Sequence, residues 1–501
     1  MSLLPALLLL CAARAESLAD PWAGSVAPEV TPRPAPPDTG LSFLGIFDTK
    51  VSVNNLATTT PLVNGQVVGT LGGLNATTVQ KPAGMFAEER AIGFLRYAPP
   101  LLDGRATLTA GFEVDFAFGD TAYATGGNTG GGYGGDQVNL QTKRLHARFN
   151  LGHESDVVVG LQFVGDGVAD PERAVLDDLA RSGGRLNFFG SEAAGVSVYG
   201  RVYNDTLRYR VGGYTLAENA FAEPDDITLW MGDTQIRPAY ATTAGLHLWY
   251  LRDRAGGTSG AFGSGPTSPL SELQGGPRLD LRANDTDAAP ETSAALAWIV
   301  ADGGYNAGLT YGRYGVSAVA ALNVGRLYVT SLPDVNVAGW LADVEGRVRW
   351  APGQGSVLRA EALLTSGDDD RESYNGIITG NSYGVAGAAN VTHGCLLLFP
   401  DPMSINRQVA MVYDVSGAGG GLVGVTGQAG YDVIPNKLTT TLGGGHARTA
   451  AGDLVGTEVN ARVLTRPLPL VTVGLYGGML LGTTFEVAPW STYLALDWVL
   501  I

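Results

Sequence analysis

From Gly104 to Asp120 the chain reads GRATLTAGFEVDFAFGD, and two unlike sets of side chains alternate without a slip. Ala106, Leu108, Ala110, Phe112, Val114, Phe116 and Phe118 fall on one side. Arg105, Thr107, Thr109, Gly111, Glu113, Asp115 and Ala117 fall on the other. A period of two describes an extended strand with one apolar and one polar face. No apolar run in the chain approaches the roughly 18 residues that a membrane-spanning helix needs. Any membrane role therefore falls to strands, closed on themselves so that every backbone polar group is paired.

The same alternation returns along the chain. KRLHARFNLG sets Arg144, His146, Arg148 and Asn150 against Leu145, Ala147, Phe149 and Leu151. LADVEGRVRW sets Asp343, Glu345, Arg347 and Arg349 against Ala342, Val344, Val348 and Trp350. SVLRAEALL opposes Arg359 and Glu361 to Leu358, Ala360, Ala362 and Leu364, and NDTLRYRVGG opposes Arg208 and Arg210 to Leu207, Tyr209 and Val211. The last strand, STYLALDWVLI, sets Leu494, Leu496, Trp498 and Leu500 against Tyr493, Ala495 and Asp497. A soluble sandwich would bury the apolar face and interdigitate large side chains there. Here that face includes many small residues, which suffice against lipid, while the polar face repeatedly carries two charges. The apolar faces are assigned outward to lipid and the charged faces inward to water.

Glycine supplies 71 of 501 residues, about twice the usual share of roughly 7%, which favours turns and thin strands over helices. The net charge of -16 disfavours nucleic acid as a partner. Residues 1–15 read as a signal peptide, with an apolar core from Leu3 to Ala13 and an Ala13-Arg14-Ala15 cleavage site, although a basic start is missing. Residues 16–40 form a Pro-rich periplasmic tether, and 41–501 a single outer-membrane β-barrel. Only Cys395 would remain after cleavage, so no internal disulfide is available.

Short connections rich in Gly, Pro, Asn or Asp fall near 100, at 152–155, 204–205, near 313, at 351–356, 434–436 and 466–469. Long ones fall near 120–137, 165–194, 255–300 and 367–420. The rhythm predicts an all-β, antiparallel up-and-down barrel of about 18 strands with short periplasmic turns and long extracellular loops. A short helix is expected within 170–183. The chain ends Val499-Leu500-Ile501, without the terminal aromatic residue common in such barrels.

The expected pore lining is Arg105, Arg144, His146, Arg148, Arg208, Arg210, Asp343, Glu345, Arg347, Arg349, Arg359 and Glu361, with Glu113, Asp115, Arg201, Glu458 and Arg462 on the same inward set. Arginine keeps its charge when partly desolvated and grips carboxylate or phosphate with two parallel donors. Such a lining would attract anions, or would pair across strands to satisfy a hydrated wall. Asp368, Asp369 and Asp370 are a calcium candidate only as a cluster, because they lack the alternating spacing of a calcium loop. GNSYG at 380–384 and GGGLVG at 419–424 match catalytic and nucleotide-binding patterns in letters alone; neither has the flanking strand and helix those patterns need. The five histidines show no metal-ligand spacing. No cofactor, metal site or enzymatic activity is expected.

The segment LRAEALLTSGDDDRESYNG, a strand running into an acidic loop, is similar to the S/T-G-D-D segment of the alginate-export type of outer-membrane barrel. With the inferred strands and the Arg-and-acid inward set, the chain most resembles that family. The resemblance implies passive export of an anionic polysaccharide through an Arg-lined lumen, fed by a periplasmic export complex. Two alternatives stand beside it. One is a general or anion-preferring diffusion porin, with the 255–300 or 367–420 loop folded in as a constriction. The other is a structural or adhesive surface barrel without transport.

Overall fold

A computed structural model describes residues 40–58, 77–118, 139–152, 154–165, 167–168, 190–203, 205–217, 226–254, 292–329, 333–367, 373–378, 394–398, 420–483 and 485–500. The expected signal peptide and nearly all of the tether lie outside these residues, as do the proposed helix at 170–183 and the Asp368–Asp370 cluster.

The alternating segments form strands that pair antiparallel in chain order. They begin β1 (Gly40–Thr58), β2 (Thr77–Ala98), β3 (Ala106–Phe118), β4 (Asn139–Gly152), β5 (Ser155–Gly165), β6 (Gly190–Val202) and β7 (Leu207–Ala217). They continue β8 (Ile227–Ala239), β9 (Thr242–Asp253), β10 (Thr292–Tyr305), β11 (Tyr314–Val329), β12 (Val335–Arg349) and β13 (Val357–Thr365). The two-residue β14 (Ser373–Tyr374) is followed by β15 (Leu422–Ile434), β16 (Leu438–Thr449), β17 (Leu454–Leu468), β18 (Val471–Leu481) and β19 (Trp490–Leu500). The last strand pairs with the first, Gly45 to Leu500 through Asn54 to Ser491, and closes an antiparallel barrel of 18 strands. Closure leaves no free strand edge in the wall. β14 stands outside the count: it pairs parallel with Asn336 and Val337, above the point where β13 leaves β12.

Strand ends divide into two rims. β1 starts and β19 ends on the rim of short turns, which include 99–105, 203–206, 240–241, 435–437 and 469–470. The opposite rim carries the long connections 59–76, 119–138, 166–189, 254–291 and 366–421, but also the brief 218–226, 330–334, 450–453 and 482–489. Loop length is thus less strictly segregated than the sequence rhythm predicts. The turn expected at 466–469 lies slightly later, with Arg466 and Pro467 still inside β17. The turn at Tyr240–Ala241 carries no Gly, Asn or Asp. Ala241 in that turn and Leu470 in the turn 469–470 take positive φ, 58° and 65°, without the residue types that advertise it.

The two faces follow the alternation. On β3, Thr107, Thr109 and Glu113 are buried inside while Leu108 and Phe112 stand exposed outside. On β19, Tyr493 and Ala495 are inside, Leu494 and Trp498 outside. Exposed aromatics gather on the outer face near the short-turn rim, among them Tyr97, Phe149, Tyr240, Tyr305, Tyr314, Trp350 and Trp498. Toward the other rim Trp230 and Tyr250 are cross-strand partners, and Trp340 stands outward on β12. Trp340 and Trp350, ten residues apart on one outer line, are 45% and 48% exposed. Ten residues at ~3.3 Å each, tilted by ~40°, cover about 25 Å of depth, the height of a membrane-spanning apolar band.

Candidate channel lumen

Along β8, β9, β10 and β12 the inner face has two zones. Toward the long-loop rim it is apolar: Ile227, Leu229 and Met231 on β8, Trp249 and Leu251 on β9, Leu296, Trp298 and Val300 on β10, Val335, Val337 and Leu341 on β12. Toward the short-turn rim each strand changes character at one position. Asp233 follows Met231, His247 precedes Trp249, Asp302 follows Val300, and Asp343, Glu345 and Arg347 follow Leu341. This corrects the expectation of a charged wet bore along its whole length. The signal in the sequence is a loss of alternation: LWM at 229–231, LWYL at 248–251 and AALAWIV at 294–300 are apolar on both faces, as strands buried on both sides are.

The partner of the apolar zone is the chain itself. After β14 the backbone runs over the inner face of β10–β12. Gly339 has no room for a Cβ, which would meet the Gly376 carbonyl at 2.2 Å. The Ile378 amide donates to Asn323 Oδ1 at 3.1 Å, and Trp298 Nε1 donates to the Ile378 carbonyl at 2.8 Å. Ile377 and Ile378 are buried there. A second docking point lies on β16 and β17. The Glu458 carboxylate accepts from three consecutive amides, Leu396, Leu397 and Leu398, at 2.5, 2.8 and 2.6 Å, and from Asn460 Nδ2 at 2.7 Å. Asn460 also donates to the Gly394 carbonyl and Arg462 to the Cys395 carbonyl. Gly445 on β16 makes the seat, since a Cβ there would lie 2.5 Å from Cys395 Sγ. Residues 373–378 and 394–398, which lie between β13 and β15 in the chain, therefore form two pieces of a strap inside the barrel, each hydrogen-bonded to the wall.

The charged zone is knit across strands. Arg210 donates to Asp233 at 2.6 Å, and Asp233 also accepts from Trp249 Nε1 at 2.8 Å. His247 lies between Asp233 at 2.9 Å and Asp302 at 3.0 Å. Arg347 grips Glu345 through two nitrogens and donates to the Ala307 carbonyl at 2.8 Å; Arg359 approaches Glu345 to 3.9 Å. Glu361 accepts from Thr426 at 2.9 Å. Asp343 is buried on the same inner face, and Arg349 is half-buried near the rim. Across the barrel Arg144 lies over the Phe94 and Phe163 rings, at 5.2 and 5.3 Å, and His146 Nδ1 is 3.3 Å from the Leu161 carbonyl. The wall thus brings Arg347, Arg359 and Glu345 together, and Arg210 with Asp233, but leaves Arg144 and His146 in a separate group.

Near the short-turn mouth, Arg148 pairs with Asp156 at 2.5 Å. Arg208 pairs with Asp205 through two bonds, and Arg237 reaches the same carboxylate at 3.0 Å. Burial pushes the Asp205 carboxyl upward, but its bond to Arg208 and the charges of Arg208, Arg237 and Arg201 outweigh this and hold it below its ordinary value. Arg105 departs from the expected lining: it is exposed in the turn 99–105 instead of on a strand. Among the described residues no cluster of His, Cys, Asp and Glu could hold a metal ion.

No family model matches the chain. No curated protein matches it in sequence. Solved structures of similar shape include OccK2 (OpdF) of Pseudomonas aeruginosa, 11% identical with a TM-score of 0.48, covering 92% of this chain and 99% of that one. The BenF-like porin from Pseudomonas fluorescens Pf-5 is 10% identical at a TM-score of 0.46, with 92% and 98% covered. OccAB4 of Acinetobacter baumannii is 10% identical at 0.43, with the same coverage. Likenesses this distant leave function to the barrel's own residues.

Proposed function

We propose that this chain is a bacterial outer-membrane channel through which small solutes diffuse, with a preference for anions. The observation that carries this is the strap: residues 373–378 and 394–398 occupy the lumen and are hydrogen-bonded to its wall at both places. A polymer conduit needs an unobstructed bore, whereas a bore narrowed by its own chain sorts small molecules by size and charge. The export reading suggested by the S-G-D-D segment gains no support from the strap, and the acids of that segment lie outside the described residues.

The membrane location is supported by the closed wall, the apolar outer face and the two aromatic levels. The anion preference is supported by the short-turn mouth, where Arg201, Arg208 and Arg237 surround the one carboxylate of Asp205. The mature chain would follow removal of residues 1–15. Reversal potentials across a planar bilayer under a KCl gradient test the preference. The wild type is expected to favour chloride, and Arg201→Glu with Arg237→Glu to reduce or invert that preference. A cation-selective wild type, or one indifferent to both substitutions, would contradict it.

A further inference from the structure

The outer face of β9–β11 carries a cationic patch that neither the lumen nor the lipid-facing apolar surface explains. Outward positions of β9 are apolar up to a boundary: Leu246, Leu248 and Tyr250 are exposed, and the next two, Arg252 and Arg254, are exposed as well. On β11 the outward Leu322 and Val324 are followed by Arg326, whose side chain is 59% exposed. Strand register brings these together. Ala295 of β10 is the cross-strand partner of Arg252 on one side and Arg326 on the other. Their Cα atoms are thus two strand spacings apart, roughly 10 Å, with only the small Ala295 between them. Ser293, the next outward residue of β10, sits opposite Tyr328. Asp334 is 3.9 Å from Arg326, and both are half-exposed, a pairing too weak to consume the arginine. In a chain of net charge -16, three guanidinium groups at one apolar boundary run against the average.

We infer that Arg252, Arg254 and Arg326 form an external cradle for the phosphorylated headgroup of an outer-leaflet lipid. It rests on the outer-membrane location proposed above. Guanidinium groups bind phosphate through paired donors. The patch lies just beyond Trp230 and Tyr250, at the level where headgroups meet the apolar band. Small residues on β10 leave the space across which two arginines can reach one phosphate. The patch faces away from the lumen, so solutes in the bore do not meet it.

The test uses the full-length protein in detergent, with a diphosphorylated acylated disaccharide lipid and the same lipid dephosphorylated as probes, and native mass spectrometry to count bound lipid. The wild type is expected to retain the phosphorylated probe preferentially. Arg252→Gln, Arg254→Gln and Arg326→Gln together should lower that retention by at least about tenfold. Lys437→Gln, at the opposite rim, should leave it unchanged. Single Arg326→Gln, expected to lower retention by a smaller factor, carries the comparison if the triple variant does not fold. Equal retention of both probes, or a folded variant that binds as the wild type does, would overturn the inference. So would full displacement of the lipid by inorganic phosphate, which would assign the patch to the free ion. A protein that stays in water and takes up no detergent would overturn the membrane location instead.

Discussion

Asp233 shows how a barrel wall handles buried charge. Its carboxylate accepts from Arg210, Trp249 and His247 at once, and all are buried. Removing one member leaves the others without compensation, at a cost of about 3–5 kcal/mol for a buried pair. Asp233→Asn is expected to lower the denaturation midpoint clearly, while Arg326→Gln on the outer surface should barely move it; equal midpoints would show that the network is not structural. Asp205 gives the pH counterpart. Its folded state favours the deprotonated form, so its contribution is present above the ordinary value of 3.8 and is lost as pH falls further. Arg208→Gln should therefore destabilise the barrel at neutral pH, by less than about 1 kcal/mol for so accessible a pair, and by a smaller amount near pH ~3. A loss that grows on acidification would contradict the assignment. Inward charges of this kind were legible in the sequence because alternation puts them on one face. Their partners were not: Asp233, His247 and Asp302 come from three strands, and only register brings them together.

At the scale of elements, the strap depends on one side chain more than any other. Glu458 holds three successive amides, and Cys395 beside them is fully buried. In a Cys11→Ser background Cys395 is the one thiol of the chain, so its alkylation reports strap opening. Glu458→Ala should speed that alkylation by at least about tenfold, given the net strength of hydrogen bonds to a charged group, with Glu458→Gln between it and the wild type. Unchanged labelling would mean the strap is held elsewhere. Gly445→Val should act in the same direction, because its Cβ would meet Cys395 Sγ. The strands themselves were readable, since period two is a local property. The strap is legible in the sequence only as a long loop at 367–420, offered as a constriction in one of the alternatives, because its docking relies on backbone amides and on glycines that are silent in hydropathy. The apolar inner zone escapes the sequence reading for a related reason: Leu229 lies in a stretch without alternation, and Trp298 falls in the segment 255–300 read as a long connection, whereas β10 begins at Thr292 and both side chains face the interior of the barrel.

For the whole molecule, closure of β19 on β1 makes the fold a single cooperative wall. What that wall encloses decides its function. Along β10–β12 the apolar inner face is matched to residues 374–378, while residues 394–398 sit against Glu458, Asn460 and Arg462, so the chain itself fills part of the lumen at both places. Single-channel conductance in a planar bilayer tests this most directly. The full-length wild type should conduct in small, discrete steps. A variant with residues 375–398 replaced by a short Gly/Ser linker should conduct several times more, as expected when a constriction is removed. Identical conductance from the two, or none from either, would contradict a diffusion channel narrowed by its own chain.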